Sequence, residues 1–308
     1  MDPHLVPHSP KLSELGEDAV VERLLRLIPT SSPSVLLGPG DDCAVVQVAG
    51  QMRHQLLKTD VVVEGVHFLA NETMERVGWK ALCRALSDIA AMGGKPEHAL
   101  LTVLAPRKTD WSRLEGLYRG IGRAARQFGV SVVGGETGHT TGPLVCNICL
   151  TGWVSPEHCV SRTGGRPGDV LLVTGTLGGS MESGKHLDFI PRLAEAEWLV
   201  THFCPNAMMD LSDGLGADLP RLAAASGCAY RIDLEQLPRT PGTSVEQALS
   251  DGEDFELLLA MTPRRVGDLK EAWSRRFPSL PLTVVGELVS GSRGETLSSR
   301  GYDHFQES

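Results

Sequence analysis

Apolar and polar residues alternate along this chain with two distinct periods, and those periods predict most of its elements. Leu12–Ile28 and Thr73–Met92 carry apolar residues at helical spacing. Thr73 stands at the N-cap of the second, with Arg76 and Lys80 expected on its outward face. Helices are also expected over Asp110–Phe128, Arg192–Phe203, Leu215–Ala225 and Pro263–Phe277. Short apolar or alternating runs predict strands at His98–Ala105, Val130–Val133, Leu144–Val154, Asp169–Thr174, Phe255–Met261 and Leu282–Leu288. A further strand is expected to end on Lys58-Thr59-Asp60. Strands and helices alternate, so the fold class is α/β, layered with α+β character. The composition turns loop-rich near Ser161-Arg162-Thr163-Gly164-Gly165, which separates residues 1–155 from residues 156–308. Residues 1–11 read as a loose arm, and no internal repeat is evident.

Composition narrows the function. With 308 residues and 41% hydrophobic positions, the chain can bury a sizeable core in one large or two moderate domains. Its net charge is −9, from 29 Lys+Arg against 38 Asp+Glu. That balance disfavours nonspecific nucleic-acid binding, which depends on neutralising phosphates, yet permits a nucleotide carried with divalent ions. Seven scattered cysteines suggest buried thiols in a reducing cytoplasm. Cys146 and Cys149 form a CxxC inside a predicted strand, where positions i and i+3 face opposite sides, so a zinc or redox role is disfavoured. Neither a secretory leader nor a membrane span is expected.

The candidate chemistry lies in glycine-flanked acids. Gly38-Pro39-Gly40 delivers Asp41 and Asp42; Asp60 ends the predicted strand; Gly134-Gly135-Glu136-Thr137-Gly138 reads as a glycine turn. Asp210 and Asp213 flank Ser212, with Ser212 or Asp213 expected to cap the next helix. Glu253 follows Gly252. Glycine lets backbone amides approach an anion, and clustered carboxylates call for hard cations. Asp88 is a lone acid among small apolar neighbours on a predicted helix, so burial and a cation shared with Asp42 or Asp60 are expected. Gly179–His186 (GSMESGKH) nearly matches a Walker A phosphate loop. His186 stands where Ser or Thr is required, and Pro191 interrupts the helix that should follow, so a phosphate loop is rejected.

In order, GPGDDCAVV, KTDVVVEGVHF, LSDIAAMGG, VVGGETG, SRTGGRPGDVLLVTGTLG, MMDLSDGL, GEDFEL and GYDHF closely resemble the thiamine-monophosphate kinase family. This family lies within the ATP-binding superfamily of aminoimidazole ribonucleotide synthetase and selenophosphate synthetase. The resemblance runs from about residue 12 to residue 305. It implies an N-terminal mixed sheet with helices that forms a barrel across a homodimer, plus a C-terminal α/β domain. It implies transfer of the γ-phosphoryl group of ATP to thiamine monophosphate, giving thiamine diphosphate. By motif position, Asp42, Thr59, Asp60, Asp88, Glu136, Asp210 and Asp213 would hold several Mg2+ ions, with Asp210 and Asp213 indispensable for turnover. Tyr118, Gly135, Arg162 and Ser212 match nucleotide-contacting positions; His67, Glu253 and Tyr302 match positions that hold the thiamine phosphate.

The chain departs from the family pattern at three places. Glu136 stands for the usual Asp, Lys58 for a frequent small hydroxyl residue, and the stretch from Gly179 to Asn206 is short. Sister enzymes are the nearest rivals. A selenophosphate synthetase is expected to carry a reactive Cys in an N-terminal glycine-rich arm, and a hydrogenase-maturation protein to end in one; neither stands here. An aminoimidazole ribonucleotide synthetase should lack the GVHF and GYDHF pair. A non-catalytic nucleotide sensor that keeps the metals is the rival from another class.

Overall fold

A computed structural model describes residues 10–291, 297 and 301–306. Most of the expected arm, residues 1–9, lies outside the described residues. In chain order, the first half holds α1 (Leu12–Leu15), α2 (Glu17–Leu25), β1 (Val35–Leu37), β2 (Ala44–Gln47), β3 (His54–Val63), α3 (Met74–Ala91), β4 (Lys95–Pro106), α4 (Trp111–Phe128), β5 (Ser131–Thr140) and β6 (Val145–Val154). The second half holds β7 (Val170–Thr174), α5 (Ser180–Ser183), α6 (Lys185–Asp188), α7 (Leu193–His202), β8 (Ala207–Leu211), α8 (Leu215–Ala225), β9 (Ala229–Ile232), α9 (Val245–Ser250), β10 (Glu256–Met261), α10 (Pro263–Arg276) and β11 (Leu282–Val289).

The strands form two sheets, as the layered α/β reading requires. The first runs β1-β2-β3-β6-β4-β5 and is mixed: the β4–α4–β5 crossover makes its last pair parallel, and its other pairs are antiparallel. The second runs β8-β10-β7-β11-β9 and is antiparallel throughout. β6 shows the period-2 rule directly: Cys146, Ile148, Leu150, Gly152 and Val154 are buried while Cys149 faces the other side. β8 and β10 are buried along their whole length, covered on both faces.

α3 lies between the sheets and is enclosed nearly all round. Its Val77, Leu82, Leu86 and Ile89 pack into the core of the first sheet, while Ala90 and Ala91 join the core built on β8 and β10. That enclosure corrects the expectation that Lys80 faces outward; Lys80 is fully buried. Thr73 is the N-cap residue, but its side chain makes no capping hydrogen bond.

Other local expectations are corrected. Leu12–Ile28 is not one helix: Gly16, with φ of 76°, breaks it into α1 and α2. Lys58-Thr59-Asp60 lies in the middle of β3, not at its end. Residues 134–138 form no turn but continue β5, an exposed edge strand paired along its length with β4. The N-cap of α8 is Gly214, neither Ser212 nor Asp213. β1, β2, α5, α6, β9 and α9 have no counterpart among the expected elements. The near-match to a phosphate loop fails structurally as expected. The segment itself folds into the four-residue α5 and the start of the four-residue α6, and the amides of Gly178 and Gly179 already donate to Asp254 and Asp251.

α3 and α4 touch backbone to backbone through two glycines. A Cβ on Gly78 would sit 2.0 Å from the Leu117 carbonyl oxygen, and one on Gly120 would sit 2.0 Å from that of Glu75. Gly78→Ala should therefore cost about 1–3 kcal/mol as the helices are forced apart, seen as a lower urea midpoint. An unchanged midpoint would contradict this close crossing.

Candidate active site

Three elements bring one carboxylate each to the same point. Asp42 comes from the glycine turn before β2, Asp88 from the last turns of α3, and Asp210 from β8. All three are buried, and their nearest oxygens lie within 4.8 Å of one another. Ser87 Oγ donates to Asp210 Oδ2 at 2.6 Å, and Lys58 Nζ donates to Asp88 Oδ1 at 2.7 Å. The Arg162 guanidinium meets Asp42 Oδ1, and the Arg162 backbone N–H donates to Asp41 at 3.0 Å. Asp42 Oδ2 is buried with no hydrogen-bond partner. A buried carboxylate oxygen left unpaired is costly, so these residues fit a bound cation.

The alternation of β3 explains why Lys58 and Asp60 look inward. Leu56 and Val62 occupy the buried face, and the two charged residues fall between them on that face. Thr59 points to the other side, where its hydroxyl donates to Asn147 at 3.1 Å.

Burial and crowding set the protonation of this cluster. Burial, then the charge of Asp42, pushes Asp210 up to about 7. Asp88 is also raised, first by burial; attraction to Lys58 opposes this, and Asp210, Asp60 and Asp42 add to it. Burial and then Asp42 raise Asp41 to about 6. Burial works against charge on Lys58, but Asp88 and Asp60 overcome it and hold the ammonium above its ordinary value. For Asp60, burial is outweighed by Arg84 and Lys58, which keep it below the usual carboxylate range.

A second group sits one to two turns earlier on α3. Lys80 Nζ lies 2.5 Å from Glu253 Oε2, donates to the His67 carbonyl at 2.6 Å, and lies 2.8 Å from His186 Nδ1. One turn on, Arg84 reaches Glu253 at 2.8 Å and Asp60 at 3.2 Å. Glu253 and Phe255 have φ of 57° and 50°, a left-handed conformation unusual for such residues and held by the contacts around it. Burial, then Arg84 and Lys80, push His67 down to about 3, so its ring is neutral. Its Nδ1 accepts the Val63 N–H, which leaves the proton on Nε2.

The C-terminal strap closes this side. The Tyr302 N–H donates to the Asp213 carbonyl at 2.8 Å, and Asp303 accepts the Glu17 N–H at 3.0 Å. His304 lies between Tyr302 and His67, with ring centroids at 5.0 and 5.5 Å. The turn after β8 is held by Asp218, a buried residue whose carboxylate accepts the Ser212 and Asp213 N–H groups at 3.1 Å each. Arg221 bridges Asp213 and Asp218.

These parts line a cleft of about 600 Å3 whose walls include Thr59, Asp60, Asp88, Asp210 and Asp213. A recess of about 100 Å3 adjoins it, lined by His67, Arg84, Ser212, Glu253 and Tyr302 among others. Three expected site residues are elsewhere in the chain. Tyr118 is half-exposed on α4, and Gly135 and Glu136 lie on the exposed edge strand β5, where the Glu136 carboxylate accepts the Thr137 N–H. Lys80, Arg84, Ser87, Asp218 and His304 escaped the sequence reading. Arg76, Lys80, Arg84 and Asp88 recur every fourth residue of α3, a polar stripe legible in the sequence.

Comparison with known proteins agrees with this architecture. Residues 40–154 match the family model of the AIR synthase related protein, N-terminal domain. The thiamine-monophosphate kinase of Rhodopirellula baltica is 36% identical over 83% of this chain and 84% of its own length. That of Escherichia coli K12 is 31% identical over 94% and 98%. Among solved structures, AaThiL complexed with AMPPCP and TMP superposes with a TM-score of 0.83 at 31% identity, covering 96% of this chain and 99% of that one. A hydrogenase maturation protein HypE in complex with HypF, at 18% identity and a TM-score of 0.70, shares the fold.

In the metal-free protein, Asp210 binds its proton more readily folded than unfolded. Its contribution to stability is therefore full below its ordinary value of 3.8 and is lost as pH rises through about 7. Thermal melts in chelator from pH 4 to 8 should fall more steeply for the wild type than for Asp210→Asn, and Mg2+ at pH 8 should restore the loss. Parallel profiles would contradict the crowding of this carboxylate.

Proposed function

This chain belongs to the thiamine-monophosphate kinase family, and from that membership we propose that it transfers the γ-phosphoryl group of ATP directly to thiamine monophosphate, giving thiamine diphosphate and ADP. The observation that carries the reading is the convergence of Asp42, Asp88 and Asp210, with one carboxylate oxygen buried and unpaired, beside a recess lined by His67, Glu253 and Tyr302.

Asp42, Asp88 and Asp210 would hold Mg2+, with Asp60, Thr59 and Asp213 on the surrounding walls; the ions would neutralise charge on the transferring phosphoryl group. Arg162, now on Asp42, is the fixed cation for the nucleotide phosphates, and Ser212, which lines the cleft, would contact the nucleotide as well. The acceptor side is prepared by α3, because Lys80 and Arg84 fix Glu253 and the His67 carbonyl in place. Neutral His67 offers its Nε2–H to the acceptor phosphate, and the Tyr302 and His304 rings offer an aromatic wall to the thiamine rings. No general base is needed, since the attacking phosphate oxygen is already ionised near neutral pH.

The exposed strand β5, with Val132 and Val133 at 44% and 59% exposure, supports a homodimer built across this edge. Gly135, Glu136 and Tyr118 would then enter the site of the second subunit. Seven free thiols fit a reducing cytoplasm. Among the described residues no helix is long and apolar enough to cross a membrane.

Incubation with Mg2+, ATP and thiamine monophosphate should yield thiamine diphosphate and ADP; tight ATP binding without product would mark a nucleotide sensor instead. Asp42→Asn should raise the Mg2+ concentration needed for half-maximal turnover by on the order of 10–100-fold. An unchanged Mg2+ dependence would remove Asp42 from the metal site.

A further inference from the structure

The carboxylate cluster already holds two cations of its own, Lys58 on Asp88 and Arg162 on Asp42. Lys58 Nζ lies 2.7 Å from Asp88 Oδ1, and its side chain, 23% exposed, opens onto the cleft shared with Asp60 and Asp210. The three carboxylates are unequally engaged. Asp88 Oδ1 is occupied by an ammonium, Asp42 Oδ1 by Arg162, and Asp210 Oδ2 only by the neutral Ser87 hydroxyl, while Asp42 Oδ2 has no partner. The backbone that carries Lys58 is part of the first sheet. The side chain hangs from the middle of a ten-residue strand, paired at this point with Leu150 of β6 and one residue past the stretch that pairs with β2, and the nearest core residues on the same face, Leu56 and Val62, are buried.

An ammonium and a divalent ion compete for the same carboxylate lone pairs, and they repel each other at a spacing of a few ångströms. We propose that the Lys58 ammonium is a resident cation of the phosphoryl-transfer centre, filling a position beside Asp88 that a divalent ion would otherwise take, so that the protein binds one divalent ion fewer than it does with a neutral residue at 58. The inference rests on the reading of this cluster as a metal centre. It assigns Lys58 a function in the site, part of the charge neutralisation being built into the chain and independent of free Mg2+.

The test counts bound Mn2+ by electron paramagnetic resonance titration of the full-length protein, in the presence of a non-hydrolysable ATP analogue. Wild type is compared with K58S, K58M and K58R, and thermal melts establish that each is folded. K58M keeps the aliphatic stem should K58S fail to fold. K58S and K58M should each bind one Mn2+ more than the wild type, and K58R, which keeps the charge, should match the wild type. Equal counts in all four proteins would overturn the role of Lys58 and leave the metal centre standing. No Mn2+ bound by any of them would overturn the metal centre and the inference with it.

Discussion

Three carboxylates confined within 4.8 Å and almost shut off from water set the terms for the whole molecule. Two unit charges about 4 Å apart repel by roughly 4 kcal/mol at an effective dielectric of ~20. Such a cluster persists only where cations or protons offset the repulsion. The chain supplies two cations, Lys58 and Arg162, and part of the remainder appears as the raised proton affinity of Asp88 and Asp210. Because Asp42 and Asp88 come from the layer of the first sheet and Asp210 from the second, the cluster is also where the two sheets are joined.

α3 makes that junction productive. Its buried stripe carries Asp88 at one end, Arg84 one turn before it and Lys80 about 12 Å from Asp88, along a helix that rises ~1.5 Å per residue. Asp88 serves the proposed metal and donor side, while Lys80 and Arg84 hold Glu253 and His67 on the acceptor side. On the proposed assignment, this one element would fix the spacing between the two reacting groups. That is what a transfer dependent on positioning and charge neutralisation requires. The glycine contact between α3 and α4 and the strap through Tyr302 and Asp303 keep this helix and its recess in place.

Much of this was legible in the sequence, residue by residue. The small apolar neighbours of Asp88 announced its burial, and the motif order led to Asp42, Asp210, His67 and Glu253, which the fold gathers around one cleft and recess. Lys80 was misread because helical periodicity reports one apolar face, whereas α3 is enclosed by two layers and pays for a buried ammonium with Glu253 and a carbonyl. Residues 134–138 were misread because Gly-Gly-Glu-Thr-Gly has turn composition, which an edge strand paired on one side also tolerates. Asp218 gave no local signal at all: its role arises from accepting two amides of a turn five and six residues earlier.

The proposed divalent-metal centre would span the two sheets at Asp42, Asp88 and Asp210. Anomalous diffraction from crystals grown with Mn2+ and a non-hydrolysable ATP analogue addresses it most directly. At least one ion should be bonded to Asp42 and to Asp210, at roughly the 2.1 Å of Mg2+-like coordination by carboxylate oxygen, with the nucleotide phosphates on its open side. Ions found only on the nucleotide or at the surface, with Asp42 Oδ2 still unliganded, would contradict it.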